Sequence, residues 1–209
     1  MREVTAAKGV RERTREAIRR ELSAAAMRSF QEVGFSATTV EAIAATVGVS
    51  GRTFFRYFAS KEDAVLQPVE GLGQEAARRL AERPPGETPL QALRAAMQVA
   101  VDGVRDDEEL VRTVMTLNRS IPELRRRHLQ KQDEWIAHLA DALAARLGLP
   151  AGSPGTRLPC AIVLAAWEEA LVRCAEDDRF DRAGQRLDEA LATAADFLRS
   201  EPLPPRPGR

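Results

Sequence analysis

Residues 38–62 read TTVEAIAATVGVSGRTFFRYFASKE, and this stretch decides the fold of the N-terminal part of the chain. Thr38 or Thr39 offers a capping hydroxyl to a short helix, which closes at Gly48. Ser50 then caps the next short helix. Two short helices joined by a turn of about four residues containing glycine are typical of a helix-turn-helix, whose second helix enters the DNA major groove.

The second of these helices has two chemically different sides. Phe54 and Phe58 lie four positions apart and are expected to anchor the helix in a small core. On the other side, we expect Arg52 to donate two hydrogen bonds to guanine O6 and N7. Thr53 or Phe55 is expected to touch a thymine methyl group. The helix is therefore predicted to hold the core with one side and read DNA with the other.

Other residues of this region suit the DNA backbone. Hydroxyl groups and cations bind phosphate oxygens, which position a protein on DNA without specifying a sequence. The backbone amides that begin the second and fourth helices are also expected to bind phosphate. The predicted DNA-contacting residues are Thr38, Thr39, Ser50, Gly51, Arg52, Thr53, Phe55, Arg56, Tyr57 and Lys61.

The charge of the chain is unevenly distributed. The 209 residues have a formal net charge of zero, but residues 1–61 carry eleven Lys and Arg against six Glu. The N-terminal part is therefore predicted to meet an anion, the alternative being a solvated basic tail. No apolar run approaches about eighteen residues, and the N-terminus lacks a secretory signal. We therefore expect a cytoplasmic protein with no membrane partner.

Apolar residues recur at helical spacing along nearly the whole chain, which predicts an all-α protein of about nine helices. The expected domains are an N-terminal arm with a three-helix DNA-binding domain over 1–60, a helical effector-binding and dimerisation domain over 61–200, and a disordered tail over 201–209. The expected helices are a long first helix (11–33), the two short helices, a long fourth helix to about Arg83, and helices near 90–105, 107–119, 121–147, 157–176 and 183–199.

The last two helices are expected to form a homodimer. On the first of them, one apolar face contains Cys160, Trp167 and Cys174, and a second face of small residues contains Ala161 and Ala165. A helix that is apolar on two sides has two neighbours. The two cysteines lie about 21 Å apart on one helix, so they cannot pair within the chain. The sequence leaves open whether a disulfide links two subunits.

Residues 14–66 resemble the DNA-binding domain of the TetR family of transcriptional regulators. One position departs from the family, because Phe55 stands where a tyrosine is frequent, and a phenyl ring cannot hydrogen-bond a phosphate. The Tyr57 hydroxyl is expected to make this phosphate contact instead. The chain downstream is similar to an actinobacterial subgroup that includes mycofactocin-type regulators. The motifs that match are Gly34-Phe35, Thr38-Thr39-Val40, Ile43-Ala44, Gly48-Val49-Ser50, the aromatic-Arg-aromatic-Phe run and Lys61-Glu62.

This resemblance implies a repressor that binds a pseudo-palindromic operator as a homodimer, through a four-helix bundle shared by two subunits. The paired reading helices would meet successive major grooves about 34 to 36 Å apart. It also implies a small-molecule effector between the middle helices, where apolar and aromatic walls favour an apolar or amphipathic compound. The predicted ligand-binding residues are Met115, Asn118, Leu124, His128, Gln132, Trp135 and Trp167; each of them also suits an ordinary helical core.

Two other classes of function compete with this hypothesis. An enzyme would need a catalytic constellation, but the sequence offers two His, no Cys beside a base, no glycine-rich phosphate loop and no metal-ligand spacing. We therefore expect no catalytic activity, cofactor or metal. A helical scaffold protein, whose basic end contacts protein or membrane instead of DNA, is the second alternative.

Overall fold

The computed structural model describes residues 2–199, with side chains from residue 13 onward. The described residues are mainly helical and form no strand. The helices are α1 (Arg2–Val33), α2 (Val40–Thr46), α3 (Gly51–Phe55), α4 (Lys61–Val65), α5 (Leu72–Ala81), α6 (Pro89–Ala96), α7 (Gln98–Asp106), α8 (Glu108–Ser120), α9 (Pro122–Arg146), α10 (Pro154–Asp177) and α11 (Ala183–Arg199), with 3-10 turns at Gln67–Val69 and Phe180–Arg182.

The chain forms two compact units, and each is built from two separate segments. The head unit contains residues 1–71 and 109–133, and the sensor unit contains residues 72–108 and 134–209. Helices α8 and α9 therefore contribute to the head unit as well as the first four helices. These packing units differ from the domains expected over 1–60 and 61–200, and that domain assignment stays a prediction.

One hydrophobic core holds the head unit together. Phe54 and Phe58 are 0% and 4% exposed, as the sequence predicts, and the core also contains the buried residues Phe30 and Ile43. The same cluster includes four residues from the distant segment: Val114, Leu117, Ile121 and Leu124. The three-helix motif is thus completed by apolar side chains that lie more than fifty positions further along the chain.

The sensor unit is built around α10 and α11, which pack along each other. The face of α10 that the sequence predicts to be apolar is buried, and Cys160 and Cys174 on it are both fully buried. Burial raises the pKa of each thiol to about 11, so both remain protonated near neutral pH. Both cysteines are free.

The prediction of one long fourth helix is wrong. Helix α4 ends at Val65, Pro68 lies in a 3-10 turn, and Gly71 adopts a left-handed φ of +81° before α5 begins at Leu72. Proline lacks the N–H needed to continue the helix, and its ring clashes with the carbonyl of the residue four positions earlier. The segment is therefore two helices with a break of six residues between them.

Two further boundaries differ from the prediction. The helix expected over 90–105 is divided at Met97 into α6 and α7. Helix α10 begins at Pro154, three residues before the expected start, and Pro159 lies inside it. Pro159 removes the hydrogen bond to the carbonyl of Gly155, which is exposed in the first turn and accessible to water. The loss is therefore tolerated.

Both ends of the chain also bear on the predictions. Helix α1 begins at Arg2, not near residue 11, so the backbone of the basic N-terminal arm is helical. The predicted disordered tail over 201–209 lies outside the described residues. Among the residues that are described, no helix is long and apolar enough to cross a membrane.

Candidate nucleic-acid interface

Helix α2 is fixed at both ends by local interactions. The hydroxyl oxygen of Thr39 accepts a hydrogen bond from the Ala42 amide at 3.1 Å, which identifies Thr39 as the N-cap. At the other end, Gly48 has a φ of +74°, a conformation that favours glycine and ends the helix. The turn that follows therefore leads into α3 at a defined position.

Helix α3 is oriented by its cap and by its buried side. The Ser50 hydroxyl accepts a hydrogen bond from the Thr53 amide at 3.1 Å, as the sequence predicts. Its oxygen also lies 3.1 Å from the Thr53 hydroxyl oxygen. The ring of Phe54 packs against that of Phe58, with 5.6 Å between their centroids. Together these contacts hold one side of α3 in the core.

The opposite side of α3 is exposed. Arg52, Phe55 and Arg56 are all exposed, and their spacing places them as neighbours on the helix surface. The guanidinium of Arg52 has no hydrogen bond or ion pair with any described side chain. That of Arg56 lies over the Tyr57 ring, 5.3 Å from its centroid, and 3.4 Å from the Tyr57 hydroxyl. This face presents two cations and one phenyl ring.

Gly51 begins α3 and is partly exposed. A Cβ atom at this position would lie 3.3 Å from the Glu41 carboxylate oxygen, in a contact that a small shift of that side chain could relieve. Glycine therefore keeps the start of the helix open next to Arg52.

Lys61 at the start of α4 is half-buried and has a structural role that the sequence did not reveal. Its amine donates hydrogen bonds to the carbonyls of Phe35, at 2.6 Å, and Thr38, at 2.8 Å. The same amine lies 3.9 Å from the centroid of the Phe35 ring. Because an ammonium group has three N–H donors, one remains for a phosphate.

The side chain of Thr38 does not reach the surface on which it was predicted. Thr38 is only 3% exposed, and its hydroxyl donates a 2.8 Å hydrogen bond to the Gly34 carbonyl. This bond closes the turn between α1 and α2 and uses the hydroxyl proton. Thr39 is exposed, and its hydroxyl proton stays available because the oxygen acts as an acceptor in the cap.

Five of the predicted ligand-binding residues lie in the head unit, on α8 and the first half of α9. Leu124 is fully buried in the core cluster. Met115, Asn118, His128 and Gln132 are half-buried. The His128 ring nitrogen Nε2 and the Gln132 amide lie 3.2 Å apart, one helical turn from each other. Among the described residues, the buried amide oxygen of Asn118 has no hydrogen-bond partner.

The other two predicted ligand-binding residues, Trp135 and Trp167, belong to the sensor unit. Trp167 is 5% exposed in the α10 core. Trp135 packs against the backbone of α5, because a Cβ added to Gly73 would lie 2.5 Å from its ring. Both indole rings therefore act as packing residues in this structure.

The sensor unit also has a surface groove of about 730 Å³, lined by Arg79, Arg83, Arg94 and neighbouring polar groups. None of the predicted ligand-binding residues lines it. Arg83 pairs with Glu87 and Arg94 with Asp188, so the cations of the groove are neutralised by carboxylates.

An ion pair that sequence reasoning missed links α9 to the start of α4. The Arg127 guanidinium donates a 2.6 Å hydrogen bond to the Asp63 carboxylate, whose side chain is 12% exposed. The amide of Asp63 is the group that the Ser60 N-cap binds. No signal in the sequence pairs residues sixty-four positions apart, so only the fold reveals this contact.

Two family models match this chain, one in each part of its sequence. The model of bacterial regulatory proteins of the tetR family matches residues 22–67, and the model of the MftR C-terminal domain matches residues 87–200, which is more than half of the chain. The second match agrees with the predicted similarity to mycofactocin-type regulators.

Among characterised relatives, the HTH-type transcriptional regulator TcmR of Streptomyces glaucescens is 37% identical over 147 residues. The match covers 68% of this chain and 65% of TcmR, so it spans slightly less than two thirds of that relative.

Solved structures share the fold. FadR of Thermus thermophilus, a transcriptional repressor crystallised with lauroyl-CoA, has a TM-score of 0.51 and 24% identity, covering 91% of this chain and all of that one. SmeT, the repressor of the Stenotrophomonas maltophilia multidrug efflux pump SmeDEF, has a TM-score of 0.52 and 23% identity. The match covers 84% of this chain and 89% of the SmeT chain. With both family models matched along its length, this chain belongs to the TetR family of bacterial regulatory proteins.

Proposed function

We propose that this chain is a ligand-responsive DNA-binding transcriptional regulator, which acts as a cytoplasmic homodimeric repressor and has no catalytic role. It binds a pseudo-palindromic operator in double-stranded DNA and is released by a small apolar or amphipathic effector. One observation carries the DNA-binding part. Helix α3 buries Phe54 and exposes Arg52 and Arg56 on its other side.

Each exposed group on α3 suits a different part of DNA. Arg52 lies in the first turn of the helix with an unpaired guanidinium, which suits bidentate bonding to a guanine edge. Arg56 and Tyr57 form a pair of donors on the next turn, where phosphate oxygens are the matching acceptors. Thr39, Ser50, Gly51 and Lys61 border this face and complete the proposed contact surface.

The proposed effector site uses Asn118, His128 and Gln132 as its polar groups, with Met115 and Leu124 beside them. A buried amide oxygen without a partner, such as that of Asn118, favours a ligand that donates a hydrogen bond. Because these residues lie in the head unit, an effector bound there would act on the same core that holds α3. Trp135 and Trp167, which belong to the sensor unit, are not part of this proposed site.

Dimerisation through α10 and α11 is supported by the second face of α10. Leu158 is 66% exposed, and Ile162, Ala165 and Val172 continue the same side of the helix in half-buried or exposed positions. A continuous apolar stripe of this kind on a folded unit is typical of a protein interface. Two copies joined here would present two copies of α3 to DNA.

Selection of bound duplexes from a random pool, at two salt concentrations, tests the function directly. Wild type should enrich a two-fold symmetric site. Arg52→Ala should lose about 1 to 3 kcal/mol of binding free energy and relax the preference at one base position in each half-site. The helical scaffold alternative predicts salt-sensitive binding to all duplexes without enrichment, and that result would refute the proposal.

The release step has its own test. An effector shifts an equilibrium only if it binds one state more tightly than the other. Therefore an effector that weakens operator binding must bind the free dimer more tightly than the DNA-bound dimer, by the same factor. Equal affinities for both states would refute the proposed mechanism of release.

A further inference from the structure

The exposed phenyl ring of Phe55 is unusual among the aromatic side chains of the head unit. Phe55 is 56% exposed, whereas its neighbours Phe54 and Phe58 are 0% and 4% exposed. Its ring meets that of Phe54 edge to face, with centroids 5.7 Å apart and an interplanar angle of 85°. Since Phe54 is fixed in the core, this contact holds the Phe55 ring in place on the outer side of α3.

The groups around Phe55 define what it could touch. Arg52 lies three positions before it and Arg56 directly after it, and both are exposed. A surface with two cations selects an anionic partner, which on this helix is DNA under the proposed function. In the major groove, the C5-methyl of thymine is the apolar group that base edges present.

The structure also distinguishes Phe55 from Thr53, the other residue expected to touch a thymine methyl. The Thr53 hydroxyl lies 3.1 Å from the Ser50 oxygen, and Thr53 is half-buried at the start of the helix. Phe55 instead lies on the same strip as Arg52. A phenyl ring has no donor or acceptor for a phosphate, so its interaction with DNA must be apolar.

We infer that Phe55 determines sequence specificity by contacting the 5-methyl group of a thymine in each half-site; this inference rests on the proposed DNA-binding function. Arg52 and Phe55 are separated by about 4.5 Å along the helix axis. Successive base pairs are about 3.4 Å apart. The thymine therefore lies within about two base pairs of the guanine that Arg52 contacts.

Deoxyuridine provides the test because it differs from thymidine only by this methyl group. In the selected operator, each thymine is replaced singly by deoxyuridine, and Kd is measured by fluorescence anisotropy. One position in each half-site should weaken wild-type binding by roughly fourfold, as expected for one buried methyl. Phe55→Ala should bind the two DNAs equally. Because Phe55 is 56% exposed, thermal unfolding should show that the variant still folds, with a small loss of stability from the missing contact with Phe54.

Two control variants make the assignment to Phe55 specific. Thr53→Ser removes a methyl group and keeps the hydroxyl beside Ser50, so its sensitivity to deoxyuridine should remain. Leu129→Ala removes another apolar side chain of the head unit that is 52% exposed, and should also leave the sensitivity unchanged.

The outcomes separate this inference from the proposed function. If wild type enriches an operator but no deoxyuridine position changes its affinity, the Phe55 inference is wrong and the regulator function stands. If Thr53→Ser abolishes the sensitivity while Phe55→Ala retains it, Thr53 contacts the methyl group and the inference is also wrong. If no operator is enriched, both proposals fail.

Discussion

At the scale of single residues, side chains that the sequence predicts to contact DNA also have structural roles. Lys61 is the clearest case, because its amine binds two carbonyls of the turn between α1 and α2 and lies over the Phe35 ring. The Thr38 hydroxyl donates a hydrogen bond to the Gly34 carbonyl within the same turn. The geometry of the reading head therefore depends on residues that a sequence motif assigns to DNA alone.

Lys61→Ala is predicted to reduce both stability and DNA binding. Losing two charged hydrogen bonds should lower the free energy of unfolding by about 1 to 2 kcal/mol, measured by urea denaturation. Binding of operator and of random DNA should be weakened alike, since the remaining donor is proposed to contact a phosphate. Arg28→Ala, at an exposed position of α1, is the control for stability. Unchanged stability with weakened DNA binding would limit Lys61 to a phosphate contact.

Gly73 allows α5 to approach Trp135, and its replacement is predicted to destabilise the sensor unit. A Cβ atom at Gly73 would lie 2.5 Å from the Trp135 ring and 3.0 Å from its backbone Cα. Gly73→Ala should cost about 1 to 3 kcal/mol through overpacking, despite the better helix propensity of alanine. Gly103→Ala is the matched control, because a Cβ atom there meets nothing within 4 Å. It should stabilise the protein by about 0.5 to 1 kcal/mol.

At the scale of helices, α9 links the proposed effector residues to the start of α4. Arg127 directly precedes His128 in the sequence and pairs with Asp63 at the start of α4. The break at Pro68 and Gly71 interrupts the long fourth helix that the sequence predicted. We therefore expect motion of α9, rather than a rigid α4, to change the orientation of α3.

A double-mutant cycle of Arg127→Met and Asp63→Asn tests this link. The side chains are 28% and 12% exposed, so a coupling free energy of about 1 kcal/mol or more is expected in urea denaturation. Each single variant should also weaken operator binding, because Lys61 at the N-terminus of α4 binds the turn that leads into α2. Arg125→Met, at an exposed position of the same helix, should change neither quantity. Additive effects in the cycle would exclude the link.

Local chemistry explains which helices the sequence could predict. Ser50, Ser60 and Thr39 act as caps through contacts three residues away, and such contacts are visible in the sequence. The break at Met97 has no glycine or proline to signal it. Met97 is fully buried, so tertiary packing decides its conformation.

The candidate site also divides into features that the sequence could predict and features that depend on the fold. The exposed strip on α3 follows from helical spacing, whereas the burial of Thr38 and the Arg127–Asp63 pair depend on the fold.

At the scale of the whole molecule, the proposed recognition of a two-fold symmetric operator requires two copies of the chain. The residues of the exposed stripe on α10 have little to pack against within the described part of their own subunit. The buried face of α10, which contains both cysteines, lies inside the sensor unit. Each thiol is thus shielded from a disulfide with a second subunit.

Ala165→Arg is predicted to convert the dimer to a monomer. A guanidinium in the middle of the apolar stripe would be desolvated without a partner on association. Light scattering should therefore give a mass near the 23.0 kDa of one chain, and operator binding should be lost. Ala145→Arg introduces the same side chain at an exposed position of α9 and should leave the mass of a dimer. A dimeric Ala165→Arg variant would place the interface elsewhere.

The two-segment construction of the head unit has a consequence for protein synthesis. A ribosome releases residues 1–71 well before residues 109–133, and Val114, Leu117, Ile121 and Leu124 from the later segment complete the core around Phe54. Until these four side chains emerge, the nascent helix-turn-helix exposes apolar surface that favours aggregation or chaperone binding. A message truncated after α4 is therefore expected to yield a helix-turn-helix with an incomplete core, and the head unit is expected to fold only once more than half of the polypeptide has been translated.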